Sequence, residues 1–124
     1  MIYFADYRYD DGKQVIAPAA VVKGQVALIN DTYAAYVVDT AAGDTVTVIF
    51  RARQAIADKK VGTGEAIEVG DRVYYDTGDG LVSRNKGAVS AVDDIYVGTC
   101  LASADINDTS VIIKFTGYDW NMGY

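Results

Sequence analysis

Seventeen carboxylates, ten tyrosines, one cysteine and no histidine set the chemistry open to this 124-residue chain. Without an imidazole, a serine or cysteine nucleophile has no histidine base. A zinc site of the Cys/His type would have Cys100 as its sole ligand. The nearest approach to a cation loop is Asp76-Thr77-Gly78-Asp79-Gly80. An EF-hand loop needs alternating oxygen ligands and a distal glutamate. This run lacks both, and its residues are those of a hairpin turn. Asp93-Asp94 reads as a loop before a strand, because a glycosidase pair must face across a cleft. Gly62 and Gly64 are not followed by Gly-Lys-Ser/Thr, and Gly12-Lys13 lacks the upstream glycine, so there is no phosphate-binding loop. No catalytic residue, cofactor site or metal ligand emerges, and the chain reads as a non-enzyme.

The aromatic residues are the remaining chemical signal. Tyrosine suits places that are dry at one end and wet at the other, and it is enriched at protein interfaces. Tyr74, Tyr75 and Tyr96 fall inside expected strands and read as half core. Tyr3, Phe4, Tyr7 and Tyr9 lie at one chain end, and Tyr118, Trp120 and Tyr124 at the other. These terminal aromatics have little local core around them and are the candidate contact residues, toward a partner or another copy of the chain.

The elements that must position these residues are strands. Sixteen valines and ten isoleucines stand against Leu28, Leu81 and Leu101, and Glu65 and Glu68 are the only glutamates. β-branched residues favour strands, whereas Leu and Glu favour helices. The expected class is all-β, a compact β-barrel or β-sandwich. The length fits one domain. Residues 1–18 form an extended N-terminal arm, 19–117 the body and 118–124 a short aromatic tail. Cys100 sits in an apolar strand as a small core residue. The start lacks a basic segment followed by a long apolar run, so no signal peptide is expected, and nothing approaches the roughly 20 apolar residues of a membrane span.

Net charge is −6. Lys and Arg do not cluster along the sequence, and the pair Lys59-Lys60 reads as a solvated loop, so neither a nucleic-acid nor a membrane partner is expected. Thr45 to Arg51 alternates, with Val46, Val48 and Phe50 on one face. Arg53 to Lys60 is the most helix-compatible stretch, though an excursion of β-structure fits equally. The second half echoes the first. Val21-Val22-Lys23-Gly24-Gln25 parallels Ile67-Glu68-Val69-Gly70-Asp71, Tyr36-Val37-Val38 parallels Tyr96-Val97-Gly98, and Asp44 to Phe50 parallels Asp108 to Phe115. Either a duplication or the ordinary recurrence of a β-meander would produce this.

Between Ala19 and Gly117, five features occur in a distinctive order: Ala19-Ala20 followed by Gly24, the Ala41-Ala42-Gly43 bend, Val69-Gly70-Asp71-x-Val73-Tyr74, Tyr96-Val97-Gly98, and a closing apolar strand ending at Gly117. In this order the chain resembles the small phage head-decoration, or capsid cement, family, a domain-of-unknown-function family often mislabelled as recombinase. The resemblance implies a compact β-barrel or sandwich that binds the outer surface of an assembled phage capsid and stabilises it by bridging major capsid subunits. It implies the major capsid protein and the chain itself as partners, a homotrimer with a dimer as the other possibility, and a place on the outside of the virion after synthesis in the host cytoplasm. Two features depart from the family pattern: the Tyr-rich start and the aromatic tail after Gly117. Removing either is expected to weaken head binding without unfolding the body. The alternative reading is a carbohydrate- or cell-surface-binding β module, in which Tyr and Trp stack on sugars.

Overall fold

A computed structural model describes residues 1–5, 10–29, 32–85 and 94–117. Among them are nine strands and no helix. The strands are β1 (Ile2–Tyr3), β2 (Asp11–Ile16), β3 (Val26–Ile29), β4 (Thr32–Tyr36), β5 (Thr45–Asp58), β6 (Arg72–Asp76), β7 (Val82–Ser83), β8 (Asp94–Ala102) and β9 (Ser110–Thr116). Every pairing between named strands is antiparallel. The order across the sheet is β3-β4-β5-β9-β8-β6-β7, with β1 and β2 on β5.

β5 organises the molecule. Its first part pairs with β2 from Ile16↔Thr45 to Asp11↔Arg51, and with β4 at Ala35↔Ile49 and Tyr36↔Val48. A bulge between Ala52 and Ala55 then redirects it, as an extra residue in one strand does. Its second part pairs with β9 and with β1. Arg53 to Lys60, compatible with a helix by sequence, is therefore mostly strand. The deciding signal is period-two burial at Ala55 and Ala57, beneath exposed Gln54 and Ile56.

The sheet curls until its far edge returns to β5. Lys59 bridges Val82 in parallel, and the Lys60 N–H donates to the Val82 carbonyl at 3.0 Å. The curl encloses Ile67, Val73, Tyr75, Val82, Ile95, Val97, Cys100, Val111, Ile113 and Phe115, together with Ile2, Ala52, Ala55 and Ala57. A smaller cluster of Ala17, Val21, Ala34, Tyr36, Val46 and Val48 lies under the first half. Ile49, on the opposite face of β5 from Val48, joins the larger core, so the middle of β5 is buried on both sides. Lys59 is 2% exposed rather than solvated. Its ammonium donates to the carbonyl oxygens of Lys60 at 2.7 Å and Asp108 at 3.4 Å, which offsets its burial.

The echo between the halves extends to the backbone bonding. Val21 and Thr40 form a two-bond bridge, as do Ile67 and Ala104. Gly24 N–H donates to Tyr36 O, and Gly70 N–H to Cys100 O. Both glycines have positive φ, 85° and 92°. A Cβ on Gly24 would lie 2.6 Å from the Tyr3 ring, so this turn needs glycine for space as well as conformation. The echoing units are thus β3, β4 and β5 in the first half and β6, β8 and β9 in the second, each after its glycine turn, and β5 and β9 pair at the join.

Candidate functional site

Tyr3 and Phe4 are the only terminal aromatics within the described residues; Tyr7, Tyr9, Tyr118, Trp120 and Tyr124 lie outside them. Alternation along β1 sends neighbouring side chains to opposite faces, and these two rings do different work. The Phe4 ring packs against the larger core and meets Phe115 edge-on, with centroids 5.6 Å apart and planes at 62°. Tyr3 is half-buried. Its hydroxyl donates to Asp58 Oδ2 at 3.2 Å, and the Lys23 ammonium stands 5.9 Å from its ring centroid. Burial and the nearby Asp58 carboxylate raise its pKa.

The start of the chain is also built into the core. Ile2 is fully buried and pairs with Ala57. The Met1 ammonium donates to the Gly80 carbonyl and lies 3.7 Å from Asp58 Oδ2. Removing residues 1–10 would therefore remove core along with any contact surface. The expectation that this end can be cut without disturbing the body does not suit Ile2 and Phe4. Alternation of aromatic and polar residues along the first segment marks a strand, and a strand needs a partner to satisfy its backbone groups.

The carboxylate-rich turn is filled by protein groups. Asp76 Oδ1 accepts the Gly78 N–H at 2.8 Å, and Asp79 Oδ1 accepts the Leu81 N–H at 2.9 Å. The Lys60 ammonium occupies the remaining side, 3.0 Å from Asp76 Oδ2 and 3.7 Å from Asp79 Oδ2. The hydrogen bond from Lys60, followed by that from Gly78, lowers the Asp76 pKa. Among the described residues, no group of three or more Asp, Glu, His or Cys could hold a metal ion, and no helix is long and apolar enough to cross a membrane. Cys100 is buried, with its thiol directed at the Ala102 carbonyl at 3.1 Å; burial raises its pKa.

The outer face of the curl carries the side chains with most reach. Arg72 (β6), Thr99 (β8) and Lys114 (β9) are direct cross-strand neighbours and share that face. Tyr74 and Tyr96 stand beside them, half exposed, with rings edge-to-face and centroids 6.1 Å apart. The sequence reading of these two as half core holds; their mutual contact comes from the β6–β8 register. Arg84 and Asn85 flank Arg72 and Tyr74 in one shallow groove. Arg51 and Arg53 flank Lys114 in another, with Asp10 and Asp11. Arg51 forms an ion pair with Asp11 at 2.7 Å.

The described residues form a framework of packed strands with these polar side chains spread over an outer surface. A search of curated proteins gave no match, and neither did one of solved structures. A family match does span most of the body, from residue 9 to residue 115, under the description phage cement protein. That span contains the turns and strands from which the resemblance was drawn, except Thr116 and Gly117 at the end of the closing strand, and the all-β architecture is compatible with the barrel or sandwich it implied. The chain belongs to the phage cement protein family, a family of structural phage capsid proteins.

Proposed function

We propose that this protein binds the outer surface of the assembled phage head and stabilises it by bridging major capsid subunits. The family match over residues 9–115 carries the reading. The curled antiparallel sheet around one large core supports it, because bridging needs a body that transmits load without rearranging. A ligand that binds the assembled lattice but not free subunits stabilises the lattice by mass action. Binding by a homotrimer over a symmetry axis would multiply weak single contacts. Of the terminal aromatics, Tyr3, Tyr7, Tyr9, Tyr118, Trp120 and Tyr124 are the proposed anchors, toward capsid or toward neighbouring copies, whereas Phe4 packs against the core. In this role the protein is not an enzyme.

The test is co-sedimentation of purified protein with expanded and unexpanded heads that lack it. Saturable pelleting with expanded heads alone is the expected result. Pelleting with neither kind of head sinks the proposal. Truncation after Gly117, and separately Tyr7→Ala with Tyr9→Ala, should weaken pelleting while leaving the unfolding midpoint unchanged. These changes avoid the core residues Ile2 and Phe4.

A further inference from the structure

The four arginines among the described residues, Arg51, Arg53, Arg72 and Arg84, are all exposed and all flank the outer face of the curl, with Lys114 between them. The other described lysines, Lys13, Lys23, Lys59 and Lys60, lie elsewhere. No run in the sequence announces this arrangement. Strand pairing assembles it: Arg72, Thr99 and Lys114 are neighbours on β6, β8 and β9, Arg53 sits in the β5 bulge, and Arg84 follows β7. From β5 to β7 the row crosses four strand spacings of about 4.8 Å each, a span of roughly 20 Å. Tyr74 and Tyr96 lie against it. A positive row on a chain of net charge −6 is a local feature against the global balance, and beyond a Debye length of about 8–10 Å salt screens the remainder.

We infer that this arginine–tyrosine face is the electrostatic docking surface for a carboxylate-bearing patch on a folded protein, namely the capsid subunit; the inference rests on the function proposed above. Three observations favour this occupant. The preponderance of Arg in the row, four guanidinium groups to one ammonium, matters because guanidinium groups bind carboxylates bidentately and hold their charge at interfaces, where Lys is depleted. Tyrosine beside arginine is the pairing that dominates interface energetics. Asp10, Asp11 and Asp71 lie in the same two grooves as the cations. They would repel a continuous polyphosphate, whereas a protein surface with separated carboxylates can place its charges between them.

The face is tested with Arg72→Glu combined with Lys114→Glu, and independently with Arg53→Glu. All three side chains are exposed, and an unfolding midpoint equal to wild type verifies folding. Lys13→Glu, on the edge strand β2, makes the same charge change as Arg53→Glu, away from the row. Binding to expanded heads is measured from 50 to 300 mM salt, with duplex DNA as a second probe. Exposed ion pairs are each worth up to about a factor of five, so the double reversal should weaken head binding about tenfold or more and flatten its salt dependence. Lys13→Glu should stay within about twofold of wild type on the same reasoning. If wild type binds heads and the reversed variants bind equally well, the docking face is wrong while the cement function stands. If wild type binds no heads, the function itself fails. Saturable DNA binding at physiological salt, lost in the double variant, would overturn the protein occupant.

Discussion

Substituting Ile2 by alanine tests whether the first residues belong to the fold or to a detachable arm. Ile2 is 0% exposed and sits in the larger core beside Ala57, its backbone N–H donating to the Gly24 carbonyl at 2.9 Å. Truncating a fully buried isoleucine to alanine typically costs about 2–5 kcal/mol, the upper end where the site cannot collapse. Here β1 has only two residues and is held by the rigid β5 on one side and the Gly24 turn on the other. Partial collapse is available because Met1 and Tyr3 can shift with the strand, so about 3 kcal/mol is the expected loss. Small domains hold only about 5–15 kcal/mol in total. With a urea m-value of about 1.5 kcal/mol/M, the midpoint should fall by about 2 M at unchanged m. Tyr3→Phe, which removes only the half-exposed hydroxyl bond to Asp58, should shift it by a few tenths of a molar, in line with about 0.5 kcal/mol for such a bond. Urea unfolding followed by tyrosine fluorescence and by far-UV circular dichroism reads both. An Ile2→Ala midpoint within about 0.3 M of wild type, less than 0.5 kcal/mol at that m-value, would show that β1 is not part of the cooperative core.

Three further outcomes follow from the packing and the charges. Gly98 has φ +152°, and a Cβ there would lie 1.8 Å from the Lys114 carbonyl oxygen; Gly98→Ala should force β8 from β9 and cost about 3–4 kcal/mol, and a melting temperature within about 3 °C of wild type would contradict the register. The folded-state pKa of Asp76 is lowered below 3.8 by Lys60, so its contribution is present above the unfolded value and is lost as pH falls through the folded one; Lys60→Met should lose stability at neutral pH and converge with wild type in strong acid, and an NMR titration placing Asp76 at or above 3.8 would refute this. The buried Cys100 thiol, with its raised pKa, should react with a disulfide reagent only as the protein unfolds, so modification in native buffer at the rate of an exposed thiol would rule out the described packing of β8 against β9.

The class of the fold was legible because it rests on local properties. β-branched residues, alternation and Asp/Gly turns are features of short windows, and Val46, Val48 and Val73 are buried as their spacing implies. The paired segments around Gly24 and Gly70 were also legible, since glycine at positive φ leaves a mark in sequence. What escaped was everything set by pairing at a distance. Arg53 to Lys60 could be read as helix because its fate depends on β9, more than fifty residues later. Lys59 looked solvated because its acceptors include the distant Asp108 carbonyl. The arginine row was invisible for the same reason: Arg53, Arg72 and Lys114 are far apart in the chain and become neighbours through the register of four strands. For the terminal aromatics, composition was legible but depth was not, and Phe4 turns inward while Tyr3 stays at the surface.

Sharing β5 between the two halves has a consequence for how the chain comes into being. The second part of that strand gains its inner neighbour only when β9, at residues 110–116, has been synthesised. β1 must likewise wait for both β5 and the Gly80 turn. At about 5–20 residues per second on the ribosome, the earliest strand spends several seconds without its partners. Ordering by such distant pairings places folding in the slow, milliseconds-to-seconds regime of β-proteins. The larger core is therefore complete only after β9, the last strand, has closed on β5.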